Sequence, residues 1–309
     1  MSEKVGYIFP GQGAQEVGMG EDVCREYDCA REVFERASEL SGIELKEVCF
    51  AGPAERLNAT DVSQVAILTT SMALLRAGQE SGVLAGDGIF ATGGLSLGEY
   101  TALCVAGVLE FDEAVKLVQK RGQYMQAAAK ANPGTMLVLR GADEETVEDL
   151  CRQAGDGEVL WPANYNCPGQ IVASGTKGAC GRLAKLAERQ QIATIELRVA
   201  GAFHSKLMSP ARERLREALA EVELKEARIP VVCNVSGGYY SSSAEIRENL
   251  ARQVDSPIRW QRCMETMMGE GVEQYYEIGP GKVLAGLGRR ISREIKVRSI
   301  SGPSGFDKA

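Results

Sequence analysis

Ile89-Phe90-Ala91-Thr92-Gly93-Gly94-Leu95-Ser96-Leu97-Gly98-Glu99-Tyr100-Thr101-Ala102-Leu103-Cys104-Val105-Ala106 is the stretch from which the fold is read. It opens on a short apolar run at 89–91, crosses a cluster of glycines, and enters a segment with the composition of a helix. Strand, sharp turn and helix form the setting that G-x-S-x-G needs, here Gly94-Leu95-Ser96-Leu97-Gly98. The serine of such an elbow sits on a strained turn with its hydroxyl exposed, and the glycines let neighbouring backbone approach. The first N–H groups of the helix then point at the reacting centre. The motif fixes only three positions in a chain with 35 glycines, so taken alone it also fits a Ser/Gly loop at the end of a strand.

The surrounding chain supports the elbow. Residues 5–9 read as a strand, followed by Pro10-Gly11-Gln12-Gly13 and helical stretches from about 19 to 40. Residues 62–77 are apolar enough for a buried helix, and 112–129 read as a long amphipathic helix. This alternation predicts an α/β fold with a parallel sheet. Residues 134–199 read differently: strand 135–139, helix 143–154 with Asp143 as N-cap, strands 159–164 and 170–174 around Pro168-Gly169, helix 176–190 and strand 193–199. That order is βαββαβ, the ferredoxin-like arrangement. The expected organisation is a large domain of residues 1–132 and 200–309 with a small domain, 133–199, inserted in it. The large domain resumes at His204 and closes with strands at 231–235, 274–278 and 297–300. The Gly/Ser-rich tail after Ile300 is expected to fray.

Composition narrows the function. The chain has 309 residues, 44% hydrophobic and 25% charged, as a globular protein does. A net charge of −7 with no basic run argues against nucleic acid as a partner. No apolar stretch approaches a membrane span, and the N-terminus enters a strand at once, without the n- and h-regions of a secretory signal. The nine cysteines form no C-x-x-C pair, and the single histidine lies far from any cysteine cluster. That argues against a metal site or a disulfide framework and for a reducing, cytoplasmic compartment.

A serine hydroxyl is a poor nucleophile until a base takes its proton. The chain holds one histidine, His204, in Gly201-Ala202-Phe203-His204-Ser205, just after an expected strand. No aspartate is marked as a third triad member, and a backbone carbonyl can fix the imidazole tautomer as a carboxylate does. Arg121 falls on the apolar stripe of the 112–129 helix with Val115, Val118 and Met125. Arginine is rarely buried without an anion, so either a protein carboxylate pairs with it or a substrate carboxylate or phosphate does; helical spacing alone leans to the ion pair. The Pro10–Gly13 loop either offers N–H groups to an oxyanion or is a tight turn. It lacks the G-x-G-x-x-G spacing of a dinucleotide site.

Together these pieces resemble the malonyl-CoA:acyl carrier protein transacylase family of fatty acid synthesis. The likeness spans nearly the whole chain. It rests on Phe9-Pro10-Gly11-Gln12-Gly13, Gly94-Leu95-Ser96-Leu97-Gly98-Glu99-Tyr100, Arg121-Gly122 with Met125-Gln126, and Ala163-Asn164-Tyr165-Asn166-Cys167-Pro168-Gly169-Gln170. Further on come Gly201-Ala202-Phe203-His204-Ser205-Lys206-Leu207-Met208, Asn234-Val235 and Glu277-Ile278-Gly279-Pro280-Gly281. The resemblance implies an α/β-hydrolase-like domain with a ferredoxin-like insert. It implies Ser96 as nucleophile, His204 as base, and an oxyanion hole from the backbone N–H groups of Gln12 and Leu97. It implies that Arg121 binds the free malonyl carboxylate, that Asn166 helps order the site, and that the segment of Gln253 supplies a backbone carbonyl to the histidine. Gly-Ala-Phe-His is similar to the version of the motif associated with malonyl rather than bulkier α-branched units. One departure is Leu95, where the family commonly has histidine before the serine; it is expected to flank the acyl pocket.

The implied substrate is malonyl-CoA, with no bound cofactor and no metal. The implied partner is acyl carrier protein, and the enzyme is otherwise expected to be a monomer. Carrier proteins are acidic, so Arg289 and Arg290 are either contacts for one or simply a solvated helix face. A serine thioesterase or esterase on the same residues is the alternative that Arg121 argues against, since a lipase-like pocket has no need of a buried cation. A trans-acting malonyltransferase of a polyketide synthase would share the chemistry. A silent scaffold is the reading that intact Ser96 and His204 oppose.

Overall fold

The computed structural model describes residues 4–84 and 88–306. Eight strands, β1 (Val5–Phe9), β2 (Ala91–Gly94), β3 (Thr135–Arg140), β4 (Leu160–Cys167), β5 (Gln170–Gly175), β6 (Ala193–Glu196), β7 (Gln274–Ile278) and β8 (Lys296–Ile300), form two sheets among the described residues. The result is a mixed α/β fold with two subdomains, one built on a parallel sheet and one on an antiparallel sheet.

The parallel sheet has the order β2-β1-β7-β8. Its register sets Phe9 beside Gly94, so β1 and β2 end side by side. The Pro10–Gly13 loop and the Ser96 turn therefore leave the same sheet edge as neighbours, and Leu95 N–H donates to Phe9 O at 3.0 Å. In open α/β sheets the crevice outside the carboxyl ends of the strands is where ligands bind. Beneath it runs the helix Thr60–Glu80, buried on nearly every side, as its continuous apolar sequence requires. The helix Phe111–Ala131 packs along it.

The antiparallel sheet has the order β4-β5-β3-β6, and its elements follow one another as βαββαβ. Side chains alternate across β3. Leu137 and Leu139 pack with Val147, Leu150, Leu183 and Ala187 of the helices Glu144–Gly155 and Lys177–Arg189. Met136 and Val138 face the other way and join the main core. Both helices start at side-chain caps: Asp143 accepts from Thr146 N at 2.9 Å and Thr176 accepts from Ala179 N at 3.2 Å.

Four expectations shift. The strand expected at 89–91 is β2, Ala91–Gly94. Glycines carry it because no side chain fits: a Cβ at Gly93 would lie 2.4 Å from Val232 Cγ2, and one at Gly94 2.1 Å from the Gly98 carbonyl carbon. The strand expected at 231–235 is no ladder. It makes isolated bridges, Thr92 with Val231 and Val232 with Tyr239, before turning back with Gly237 N–H on Cys233 O at 2.8 Å. The strand expected at 193–199 stops at Glu196. The tail does not fray as far as residue 306: Pro303–Phe306 is a 3₁₀ turn, and Phe306 is buried edge-on against Tyr27 at 5.5 Å. Residues 307–309 lie outside the described residues.

Among the described residues no helix is long and apolar enough to cross a membrane, and no group of His, Cys, Asp or Glu is placed to hold a metal. All nine cysteines are free.

Candidate active site

Ser96 has φ 52°, a left-handed conformation for a residue that is not glycine. Such a conformation costs about 1 kcal/mol or more and needs its surroundings to hold it. Asn234 supplies the hold. Its Oδ1 accepts from Ser96 N at 2.6 Å, and its Nδ2 donates to Gly94 O at 2.8 Å. Gln253 Nε2 donates to Ser96 O at 2.9 Å. A Cβ at Gly98 would stand 2.1 Å from Phe9 O, so the second glycine of the motif lets the helix Gly98–Val105 start against β1.

His204, which follows the inserted subdomain in the sequence, faces this turn. Its Nε2 lies 2.9 Å from Ser96 Oγ, and its Nδ1 lies 2.7 Å from Gln253 O. A carbonyl can only accept, so Nδ1 carries the proton and Nε2 is left to accept from the serine. His204 is itself left-handed, with φ 58°. Its N–H donates to Val254 O at 3.1 Å, and its carbonyl accepts from the Trp161 indole at 2.8 Å. Burial and then the positive Arg121 push the imidazole down to about 4, against the pull of the Gln253 carbonyl and Asp255. Asp255 is buried, but its carboxylate is taken up by Lys206 and Ser209, both at 3.1 Å. The group that orients the imidazole is therefore a carbonyl, as sequence reasoning allowed.

Arg121 is 1% exposed. Its Nη1 donates to Gln64 Oε1 at 2.7 Å, and its Nη2 donates to Gln253 Oε1 at 2.8 Å and to Ser96 Oγ at 3.0 Å. Tyr100 lies under the guanidinium at 5.3 Å, and Nε has no partner. The protein ion pair that helical spacing favours is not formed: among the described residues no carboxylate reaches Arg121 within salt-bridge distance. The nearest acid in its hydrogen-bonded chain is Glu99, on the far side of Gln253. Glu99 is fully buried. It accepts from Asn234 N at 3.0 Å, from Tyr240 OH at 2.7 Å and from Gln253 Nε2. Burial pushes its carboxyl up to about 7, with the three donors pulling the other way.

Ser96 and His204 open onto a cavity of about 700 Å³ between the two sheets. Gly11 to Gln15, Leu95, Ser96, Phe203 and His204 line one side, and Met136, Val138, Asn166 and Val172 of the antiparallel sheet line the other. The backbone N–H groups of Gln12 and Leu97 leave the neighbouring strand ends, and among the described residues neither donates to a protein acceptor. Leu95 sits in the cavity wall beside the serine. Asn166 is in the wall too, with its Oδ1 unpartnered; the side chain that braces the elbow is Asn234 instead. Arg289 and Arg290 lie off the cavity lining. Arg290 Nη1 donates to Gln170 Oε1 at 2.7 Å and so ties the helix Val283–Ile291 to the start of β5.

Sequence reasoning missed Asn234, Gln64 and Glu99 as parts of the site, and named Gln253 for its carbonyl alone. Each of the three is a polar side chain within an otherwise apolar segment.

The chain has close counterparts among known proteins. The acyl transferase domain family matches residues 6–302. The malonyl CoA-acyl carrier protein transacylase of Bacillus subtilis is 40% identical over 308 residues, covering 99% of this chain and 96% of that protein. The structure of an acyl carrier protein S-malonyltransferase from Vibrio cholerae superposes with a TM-score of 0.94 at 39% identity, covering 99% of both chains. A malonyl-transacylase solved in complex with its type II PKS acyl-carrier protein superposes with a TM-score of 0.94 at 35% identity, covering 98% of each chain. With likeness at this level from end to end, the chain belongs to the malonyl-CoA:acyl carrier protein transacylase family.

Proposed function

We propose that this chain transfers a malonyl group from malonyl-CoA to the phosphopantetheine thiol of acyl carrier protein in fatty acid biosynthesis, by way of a malonyl ester on Ser96. One observation carries the reading. Ser96 Oγ is held between an imidazole nitrogen at 2.9 Å and a buried guanidinium at 3.0 Å that has no acid of its own. A nucleophile, its base and a receptor for a carboxylate thus meet at one atom.

His204 Nε2 takes the Ser96 proton as Oγ attacks the thioester carbon. The N–H groups of Gln12 and Leu97 receive the oxyanion, and the imidazolium returns its proton to the departing thiolate. The malonyl carboxylate lies on Arg121, which fixes the ester in one pose. Phosphopantetheine then enters, loses its thiol proton to His204 and attacks the ester; the Oγ–acyl bond breaks and Ser96 Oγ takes the proton back from the imidazolium, so the two half-reactions share one set of groups in a ping-pong transfer. An esterase has no use for a buried cation beside its nucleophile. The type II PKS neighbour supports a polyketide setting as the second reading of the same chemistry. We read the architecture as an α/β-hydrolase-like domain, 1–132 and 200–309, around a ferredoxin-like domain, 133–199. The strand order β4-β5-β3-β6 supports the second assignment, and the nine free thiols fit a cytoplasmic setting.

The test is intact-mass analysis. A malonyl adduct is expected on mixing with malonyl-CoA and is expected to vanish on adding holo acyl carrier protein, with malonyl recovered on the carrier. Loss of the adduct to free malonate, with none on the carrier, would identify a hydrolase. Competition between fatty acid and polyketide carriers separates the two pathway settings.

A pH prediction follows from the imidazole. The active base is neutral, and burial and Arg121 lower its pKa to about 4. Activity that requires neutral His204 is therefore expected to persist from pH 7 through 6 and 5, and to fall as pH drops through about 4. Single-turnover acylation after a rapid pH jump measures it before acid unfolding intervenes. A midpoint at the ordinary histidine value, about 6.5, contradicts it.

A further inference from the structure

With Glu99 ionised, the hydrogen bonds around it run in one direction. Its Oε1 faces the main-chain N–H of Asn234, which can only donate, and the Tyr240 hydroxyl. Its Oε2 faces the Gln253 amide. The ionised carboxylate, an acceptor at both oxygens, satisfies all three donors. It therefore obliges Gln253 to present its NH₂ on this side. The Gln253 oxygen is then turned to Arg121 Nη2 at 2.8 Å, while Nε2 also reaches Ser96 O at 2.9 Å. Gln64 Oε1 holds the other arm of the guanidinium at 2.7 Å. Glu99 thus stands one amide away from Arg121. It offsets the buried charge through Gln253 without occupying the arginine itself.

We propose that Glu99 is a positioning residue that sets the enzyme's preference for a carboxylated acyl group by fixing the polarity of the Gln253 amide and, through it, the Arg121 guanidinium. The inference rests on the reading of Ser96 as nucleophile and Arg121 as carboxylate receptor. An acid in direct contact with Arg121 would compete with the malonyl carboxylate. An acid at one remove keeps the guanidinium aligned and leaves it open. An amide in place of Glu99 breaks this order. With its oxygen toward Asn234 N–H and Tyr240 OH, its NH₂ meets the NH₂ of Gln253. Gln253 then turns over, sets its own NH₂ against Arg121, and loses its bond to Ser96 O.

The experiment is Glu99→Gln, with kcat/KM measured for malonyl-CoA and acetyl-CoA on wild type and variant, and circular dichroism to check folding. The acetyl group has no carboxylate for Arg121 to bind. The malonyl-to-acetyl ratio is expected to fall roughly 10- to 100-fold, the scale of one hydrogen bond to a charged group. An unchanged ratio, including an equal fall for both substrates, overturns the inference and leaves Glu99 a structural acid. Wild type with no preference for malonyl sinks the reading of Arg121 and the inference with it. If Glu99→Gln does not fold, the double variant Glu99→Gln/Gln253→Glu restores a donor facing an acceptor. It is expected to fold and still to lose malonyl preference, because its new carboxylate faces Arg121 directly. A folded double variant with wild-type preference also overturns the inference.

Discussion

Ser96→Ala is expected to leave a folded protein that takes up no acyl group from malonyl-CoA and transfers none to carrier protein, a loss of at least about 10⁴-fold. Alanine meets the same left-handed strain as serine at φ 52°, so the turn changes little. The bonds lost are those of Oγ to His204 and Arg121. No other nucleophile is ready to take over. Burial pushes thiols such as Cys24 and Cys180 up to about 11, away from the reactive thiolate. The one histidine is already committed to Ser96 and Gln253. Intact mass after incubation with malonyl-CoA is the measurement, with thermal unfolding as the folding control. An adduct persisting on Ser96→Ala would falsify the assignment.

Arg121→Ala is expected to lose about 30- to 1000-fold in kcat/KM for malonyl-CoA, or 2–4 kcal/mol for a charge-assisted pair in a dry pocket, and far less for acetyl-CoA. Arg121→Lys should recover part, since an ammonium cannot form the forked pair. The same substitution carries a second signature. Arg121 is one of the causes that hold His204 down, so its removal should move the acid limb of the pH profile upward, toward the ordinary histidine value. A residue that merely fills the core predicts an equal fall for both substrates. Steady-state kinetics with both thioesters, repeated across pH, decides between them.

Much of this was legible because it is local. The helices starting at Glu144 and Lys177 announce themselves through a 3.6-residue apolar period, the first also through its Asp143 cap, and strand β1 through a short apolar run. Ser96 was legible from its motif, and His204 because the chain has no other imidazole. What failed depended on partners far away in sequence. Gly93 and Gly94 read as turn residues, yet the crowding of Val232 and of the Gly98 carbonyl makes them a strand. Residues 231–235 are apolar but for Asn234 and so read as a strand, yet Asn234 turns its side chain to the serine turn, 138 positions away. Arg121 was placed on the right face of its helix, and the ion pair that spacing leaned to was wrong. Its partners are amides on Gln64 and Gln253, and a local pattern does not show which way a distant amide points.

The Trp161 indole has a consequence of its own. It reaches from β4 to the carbonyl of His204 at 2.8 Å, with the Lys206 ammonium 5.1 Å from its ring centre. The chain has one other tryptophan, Trp260, which is fully buried. Half-buried Trp161 therefore supplies the part of the intrinsic fluorescence that responds to the catalytic loop. Titrating malonyl-CoA into the Ser96→Ala protein is expected to shift that emission, and a Trp161→Phe background to silence the shift. The protein thus carries a native optical probe of whether its base is in place, with no dye or label attached.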